Sequence, residues 1–468
     1  MANGKSGSAK MVLVILASIL MIAFFFIDPF PGLEPVGMRF LGIFIWWIVL
    51  MVTEPIPTYL SCLAGLVVAI AAGCATFDEA FASFASSTAI LLIGAFGLAT
   101  GLTNSGLLNR LALLVMKLFP GTYKGQVLAV SIASLVIAPT IPSTTAKSAV
   151  LVPVVNSICD ELGYEPHSKG AVGLISVCNT VTNCCGPMFM TGGIVAAVML
   201  SLYTGSINWG SYFLFALVWG VIVFVGTVLF HLFYYNPDKG VPKDQIKVLG
   251  KDVIQQRLNA LGKMSRNEIV ALLVLLVSIA LWITESMHGI PTAVVAVGAW
   301  VVLCAFNLFS TADFNSGKMM WTVWALVAAV LGFVDLMSST GLSTWIGDLV
   351  APAIEVVAGS PALVVIGCAV LSALLMMALV NYLIFAALAL ALLAAVPMDP
   401  LCILFPICMC GMIFILPPQN VCVLAVEGLA GGRISFKDLR PAAVAYIVTC
   451  IIGCAASIPW WSILGYIY

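Results

Sequence analysis

The stretch PTIPSTTAKSAV (residues 139–150) places polar side chains between two apolar runs of the sequence. It holds three consecutive hydroxyl residues, Ser143, Thr144 and Thr145, followed by Lys147. A helix that starts near Thr144 has free backbone amides in its first turn, and such amides attract anions. Hydroxyl groups donate hydrogen bonds to an anion or coordinate a cation through their oxygen lone pairs. The stretch therefore predicts noncovalent binding of an anion, of a cation, or of both.

Simpler interpretations of the same residues remain open. Serine and threonine cap many helices, so the hydroxyl groups could serve only to cap a kinked helix. Lys147 is either a built-in counter-charge for an anion or a side chain that reaches cytoplasmic water. A counter-charge that cannot leave with the cargo would remain unpaired in the empty carrier, and an unpaired buried charge is costly. The first alternative thus predicts exchange of one anion for another without sodium.

The composition indicates that this stretch lies within a membrane. Hydrophobic residues make up 62% of the 468 residues and charged residues only 8%, whereas soluble proteins have about a quarter charged residues. Apolar runs of about 20 residues recur along the chain, as in polytopic α-helical membrane proteins. Neither the 14 cysteines nor the three histidines have the spacing of a metal site. We expect an all-α polytopic membrane protein in the lipid bilayer, without a nucleic-acid partner.

Two halves of the chain resemble each other. The segment VTEPIPTYLSCLAGLV is similar to ITESMHGIPTAVVAVG, and further landmarks follow at a nearly constant offset. The matched positions are Thr53-Glu54 with Thr284-Glu285, Pro57-Thr58 with Pro291-Thr292, and Gly106-Leu107 with Gly341-Leu342, and Asp78 falls near Asp313. The predicted organisation is an N-terminal span over 1–37, a first repeat over 38–235, a cytoplasmic connector over 236–267 and a second repeat over 268–468.

The positions of the cations predict the topology. The connector holds seven lysines or arginines, so it is cytoplasmic by the positive-inside rule. Lys117, Lys124 and Lys169 lie on the same side only if residues 125–158 enter the membrane and return as a re-entrant hairpin, with arms of about 14 residues. Arg433, Lys437 and Arg440 lie there only if residues 361–396 form a second re-entrant hairpin. The result is about 11 transmembrane helices plus two hairpins in inverted repeats, the build of a secondary transporter. The N-terminus is then cytoplasmic and the C-terminus external.

Further polar or helix-breaking residues lie where these repeats predict binding loops. Asn381 and Tyr382 occupy the tip of the second hairpin. The span after each hairpin is also broken, and paired breaks in two halves are the best sequence indication of a transporter's binding site. The breaks contain Thr191, Gly192 and Gly193 in the first half, and Pro417, Pro418, Gln419 and Asn420 in the second.

The motifs VTEPIP, APTIPSTTAKSAVLVPVVNSI and LPPQN, in this order, resemble those of the divalent anion–sodium symporter family. Its citrate/succinate antiporter and 2-oxoglutarate/malate translocator branch is the most similar. The resemblance implies homodimers with a scaffold domain and an elevator-type transport domain. It also implies that the two tips bind substrate carboxylates and sodium, which here places sodium at Ser143, Thr144 and Asn381. Thr144 stands where the family usually has asparagine.

The expected function is therefore secondary active transport of di- or tricarboxylate anions of the malate, succinate, 2-oxoglutarate and citrate class. Exchange of anions in a multi-pass cytoplasmic-membrane protein is the first expectation. Sodium-coupled symport, or carriage of inorganic or sulfonated anions, is the alternative. An enzyme is not expected, because neither tip has a histidine or paired carboxylates nearby.

Overall fold

The fold is given by a computed structural model that describes residues 3–203, 205–349, 359–378, 396, 398–415 and 420–468. Within these ranges the chain is helical, and the only β pairing is an isolated bridge between Met398 and Ile467. The longer helices of the first half are Asn3–Ala23, Pro35–Thr53, Thr58–Ala71, Ser87–Ser105, Leu107–Lys117, Tyr123–Ile137, Thr144–Glu161, Lys169–Cys185, Ile194–Ser201 and Trp209–Tyr234.

The second half continues the all-helical architecture. Its longer helices are Lys251–Ala260, Arg266–Ile283, Thr292–Ala305, Trp321–Ser339, Pro361–Ala378, Leu401–Gly411, Val421–Leu429 and Arg440–Ile463, and residues 342–349 are also helical. Among the described residues, seven helices are long and apolar enough to cross a membrane, and five shorter helices are also apolar. The expected polytopic membrane protein is thus supported, while the count of about 11 crossings stays a prediction.

Segments matched by the sequence repeat have the same local structure. Thr58–Ala71 and Thr292–Ala305 each have 14 residues and follow a proline N-cap. Ser87–Ser105 and Trp321–Ser339 each have 19 residues, and the glycines that follow them, Gly106 and Gly341, have φ angles of 82° and 73°. Such positive φ angles favour glycine. The matched segments therefore agree in helix length and in the glycine that follows the longer helix, as well as in sequence.

The local structure defines one landmark of the repeat more closely. The sequence placed Asp78 near Asp313, and the capping boxes make Glu79 the residue equivalent to Asp313. Glu79 completes a capping box with Thr76, and Asp313 completes the corresponding box with Ser310. The capping function fixes the correspondence, because the acidic residue must occupy the third helical position to reach the N-cap amide.

The matched helices also pack reciprocally. Thr58–Ala71 of the first half packs on Trp321–Ser339 of the second, and Ser87–Ser105 packs on Thr292–Ala305. Each of these two helix pairs thus consists of one helix from the first half of the chain and one from the second. A further contact between the halves is made by the helices Trp209–Tyr234 and Arg440–Ile463, which pack against each other.

The connector contacts both ends of the segment 125–158. The backbone amide of Leu249 donates to the carbonyl oxygen of Gly121 at 2.8 Å. Two residues earlier, Lys247 Nζ donates to the carbonyl oxygen of Gly163 at 3.2 Å. The chain therefore reaches the same short piece of connector just before this segment and just after it.

Candidate functional site

The first polar stretch forms a break between two helices. Tyr123–Ile137 is followed by a 3₁₀ turn, Ala138–Thr140, and by the extended residue Ile141 before the next helix begins at Thr144. Ser143 is the N-cap of this returning helix, and its Oγ accepts a hydrogen bond from the amide of Ala146 at 3.2 Å. The capping alternative is thus realised for Ser143, whose hydroxyl proton is still available to a ligand.

A cavity of about 400 Å³ lies at this break. Three helices begin at its wall, because its lining includes the first residues or N-caps of Thr144–Glu161, Ile194–Ser201 and Val421–Leu429. The residues concerned are Ser143, Thr144, Gly193, Ile194 and Asn420. Each helix N-terminus carries about half a positive charge and unpaired amides. Their convergence creates a site suited to an anion.

The wall also includes two helix C-terminal ends. Asn183 lies in the last turn of Lys169–Cys185, and Gly411 is the last residue of Leu401–Gly411. Helix C-termini present carbonyl oxygens with partial negative charge. The same cavity therefore offers donors for an anion and acceptors for a cation at different points of its wall.

The loop 191–193 packs directly on the first tip. Thr191 Oγ1 donates to the carbonyl oxygen of Pro139 at 2.9 Å and accepts from Trp209 Nε1 at 3.2 Å. A Cβ atom on Gly192 would lie 2.7 Å from the carbonyl oxygen of Ala138. Of these loop residues Gly193 lines the cavity, so Thr191 and Gly192 support the wall from behind.

Lys147 also lies behind the wall. Its side chain is fully buried, and Nζ donates a hydrogen bond to the carbonyl oxygen of Gly192. The side chain therefore does not reach water in this structure, contrary to the second sequence alternative. No carboxylate among the described residues forms an ion pair with Lys147. The buried amino group is thus bonded to a backbone oxygen next to the cavity.

Sequence reasoning missed Asn183. This cavity-lining residue is fully buried, and its Nδ2 donates to Asn179 Oδ1 at 3.3 Å. Its Oδ1 has no hydrogen-bond partner among the residues that the structure describes. Exchanging the amide oxygen and nitrogen would leave a donor unpaired instead, so the amide offers one free polar atom in either orientation. The detectable signal was a pair of asparagines four residues apart on a helix that has no charged residue after Lys169.

The second-half residues are described only in part. Asn381, Tyr382, Pro417, Pro418 and Gln419 lie outside the described residues. Asn420 is described, is 8% exposed, and caps Val421–Leu429 by accepting from the amide of Cys422 at 3.0 Å. Ser143 and Asn420, from the two halves, are therefore both N-caps that line one cavity.

Comparisons with known proteins agree with this architecture. Dicarboxylate transporter 1 of Spinacia oleracea chloroplasts is 25% identical over 355 residues, which cover 74% of this chain and 61% of the relative. The chain thus spans about three fifths of that protein's length. The citrate/succinate antiporter of Escherichia coli K12 is 24% identical over 371 residues, covering 73% of this chain and 74% of the relative.

A solved structure and a family model extend the likeness to nearly the whole chain. The crystal structure of the Alcanivorax borkumensis YdaH transporter has a TM-score of 0.58 at 15% identity, over 98% of this chain and 99% of that one. At this identity the likeness concerns the fold alone. The family model described as the sodium:sulfate symporter transmembrane region matches residues 8–467. The chain therefore belongs to this family of divalent anion–sodium symporters, a family of transporters rather than enzymes, and the resemblance drawn from its motifs is confirmed.

Proposed function

We propose that this protein is a secondary active transporter that exchanges di- or tricarboxylate anions of the malate, succinate, 2-oxoglutarate and citrate class. The observation that carries the proposal is the convergence of three helix N-termini on one cavity, at Ser143, Gly193 and Asn420. Amides and hydroxyl groups there can donate to a carboxylate. The relatives named as dicarboxylate and citrate/succinate transporters support this substrate class.

The re-entrant course of residues 125–158 is part of the proposal. It is supported by the connector, which hydrogen-bonds Gly121 through Leu249 and Gly163 through Lys247. A segment whose two ends meet the same short piece of chain leaves on the side where it entered. The first arm is longer than expected, since Tyr123–Thr140 has 18 residues and could cross a membrane by length alone. The proximity of the ends, and not the arm length, therefore supports the hairpin.

Exchange is proposed because of Lys147. A buried ammonium without a carboxylate partner costs several kcal/mol unless an anion lies near it. Lys147 bonds to Gly192, the neighbour of a cavity-lining residue, so an anion in the cavity would lower that cost. The empty carrier would retain the unpaired charge, and we propose that this restricts movement to the loaded state.

Sodium-coupled symport is the second candidate. Two helix C-termini and the hydroxyl groups of the tip provide oxygen atoms of the kind that sodium prefers. Sodium at Ser143 and Thr144, with Asn381 from the second tip, stays a proposal. Inorganic anions such as sulfate are the alternative substrates, because the matched family model is described as a sodium:sulfate symporter region.

Inverted repeats, elevator-type movement and a homodimer are also part of the proposal. Reciprocal packing of matched helices from the two halves supports inverted repeats, and elevator movement of a transport domain against a scaffold is the expected consequence. A homodimer in the cytoplasmic membrane, with its N-terminus inside and its C-terminus outside, stays a prediction.

Uptake into proteoliposomes tests the function. Labelled malate, succinate, 2-oxoglutarate and citrate are each offered to vesicles with or without internal dicarboxylate, in sodium or in potassium buffer. Uptake that needs internal substrate but no sodium supports exchange. Uptake into empty vesicles that follows a sodium gradient replaces exchange by symport, and the absence of carboxylate uptake in all conditions contradicts the substrate class.

A further inference from the structure

A second cavity, of about 420 Å³, is also lined by the first tip. It shares Pro142, Ser143 and Thr145 with the proposed binding cavity, and both cavities reach Met320. Its far wall is formed by the helix Ser87–Ser105 and by the turn that contains Gly317 and Lys318. The second cavity therefore adjoins the proposed binding cavity directly at the tip.

Lys318 is the one charged side chain among the described residues that line the two cavities. Half of this side chain is exposed, at 49%. Its Nζ donates to Asp313 Oδ1 at 2.8 Å and to Asn104 Oδ1 at 2.9 Å. The hydrogen bond from the ammonium holds the pKa of Asp313 well below its usual range. The lysine is thus held at the wall by two partners, one of which is a carboxylate.

The first repeat has no equivalent cation. The positions that correspond to Lys318 by the repeat offset are residues 83–87, which read SFASS. Lys318 therefore has no counterpart in the first repeat, although the capping boxes that precede the two positions, at Thr76 and Ser310, are alike.

We propose that Lys318 is an entry-site cation, which attracts the anionic substrate into the second cavity and lowers the KM on that face. The inference rests on the proposed function for the charge of the substrate. A cation at the wall of a cavity with apolar surroundings raises the local concentration of anions, and the effect weakens with salt. An arriving carboxylate takes the place of Asp313 as the partner of the ammonium before the substrate moves on to the tip.

Two substitutions separate this role from a structural one because they shift the KM in opposite directions. Lys318→Met removes the cation, and we expect a KM about tenfold higher at low ionic strength, with a smaller change at high ionic strength. Asp313→Asn keeps an oxygen acceptor for the Ser310 amide but removes the competing carboxylate, so we expect a lower KM. Lys117→Met removes an exposed charge from the last turn of a neighbouring helix, and we expect no change.

The measurement is the KM of labelled malate in malate-loaded proteoliposomes at two ionic strengths. If Lys318→Met and Asp313→Asn both raise the KM, the salt bridge is only structural and the proposal is wrong. It is also wrong if neither changes the KM, or if Lys117→Met has the same effect as Lys318→Met. Failure of the proposed function is distinct, because the wild type would then not transport malate. The same comparison of the variants is in that case made with labelled sulfate.

Discussion

The side-chain nitrogen Nζ of Lys147 donates a hydrogen bond to the carbonyl oxygen of Gly192, 45 residues along the chain. This contact joins the returning helix of the first tip to the loop that breaks the following span. It places the fully buried side chain of Lys147 one residue away from Gly193, which lines the proposed binding cavity. In its protonated form this side chain contributes a positive charge to the electrostatics of the cavity without lining its wall.

The first prediction concerns this buried cation. Lys147→Ala removes the counter-charge, so we expect exchange of malate to fall at least tenfold and any remaining uptake to depend on sodium. Lys124→Ala is the matched control, because it removes an exposed lysine near the start of the first arm. The thermal unfolding midpoint of each purified variant shows whether the protein is still folded. Full exchange by a folded Lys147→Ala protein without sodium dependence would refute the counter-charge hypothesis.

The second prediction compares adjacent glycines. A Cβ atom on Gly192 would lie 2.5 Å from the carbonyl oxygen of Gly186, whereas one on Gly193 would have no neighbour closer than 3.4 Å among the described residues. Backbone atoms cannot move aside as a flexible side chain can, and overpacking costs about 1–3 kcal/mol. We therefore expect Gly192→Ala to lower the unfolding midpoint and Gly193→Ala to leave it nearly unchanged. Equal midpoints for the two variants would show that the loop does not pack as described.

The third prediction tests Asn183 as a ligand-binding residue. Asn183→Leu removes the free polar atom from the cavity wall, and we expect the KM for the transported anion to rise about tenfold, which corresponds to about 1.4 kcal/mol. The unfolding midpoint should change little, because the variant removes the unpaired Asn183 Oδ1 but also takes the donor from the buried Asn179 Oδ1, and each unsatisfied polar atom costs about 1–3 kcal/mol.

Asn179→Leu is the control for that variant. It removes the other member of the amide pair without removing a residue of the cavity wall, so its KM should stay close to that of the wild type. A higher KM for Asn179→Leu than for Asn183→Leu would assign the amide pair a structural role instead.

The fourth prediction concerns a buried ion pair between the two halves. Arg110 Nε lies 2.6 Å from Glu268 Oε1, and the side chains are 9% and 6% exposed. The guanidinium also donates to the carbonyl oxygens of Leu261 and Gly262. Breaking such a pair by removing one partner costs about 3–5 kcal/mol, because the other charge stays buried.

We therefore expect Arg110→Met to lower the unfolding midpoint strongly. The double variant Arg110→Met with Glu268→Met should recover much of the loss, since neither charge remains. Additive losses in the double variant would show that the two side chains stabilise the protein independently.

The sequence alone determined the features that depend on neighbouring residues in the chain. Apolar runs identify the helices, the proline and hydroxyl residues around Ser143 end one helix and cap the next, and Gly106 and Gly341 terminate matched helices. These effects act over one or two turns, so the membrane class, the repeat and the two broken spans could be predicted from the order of residues. The family followed from the same local motifs.

Which of these elements come into contact depends on the tertiary structure. It directs Lys147 to Gly192 and not to water, brings Asn183 to the cavity wall, and sets Lys318 beside the cavity at the first tip. It also pairs Arg110 with Glu268 across 158 residues. The side-chain pattern of a single helix carries no information on which distant helix will cover it, because burial and ion pairing are settled by packing among all the helices at once.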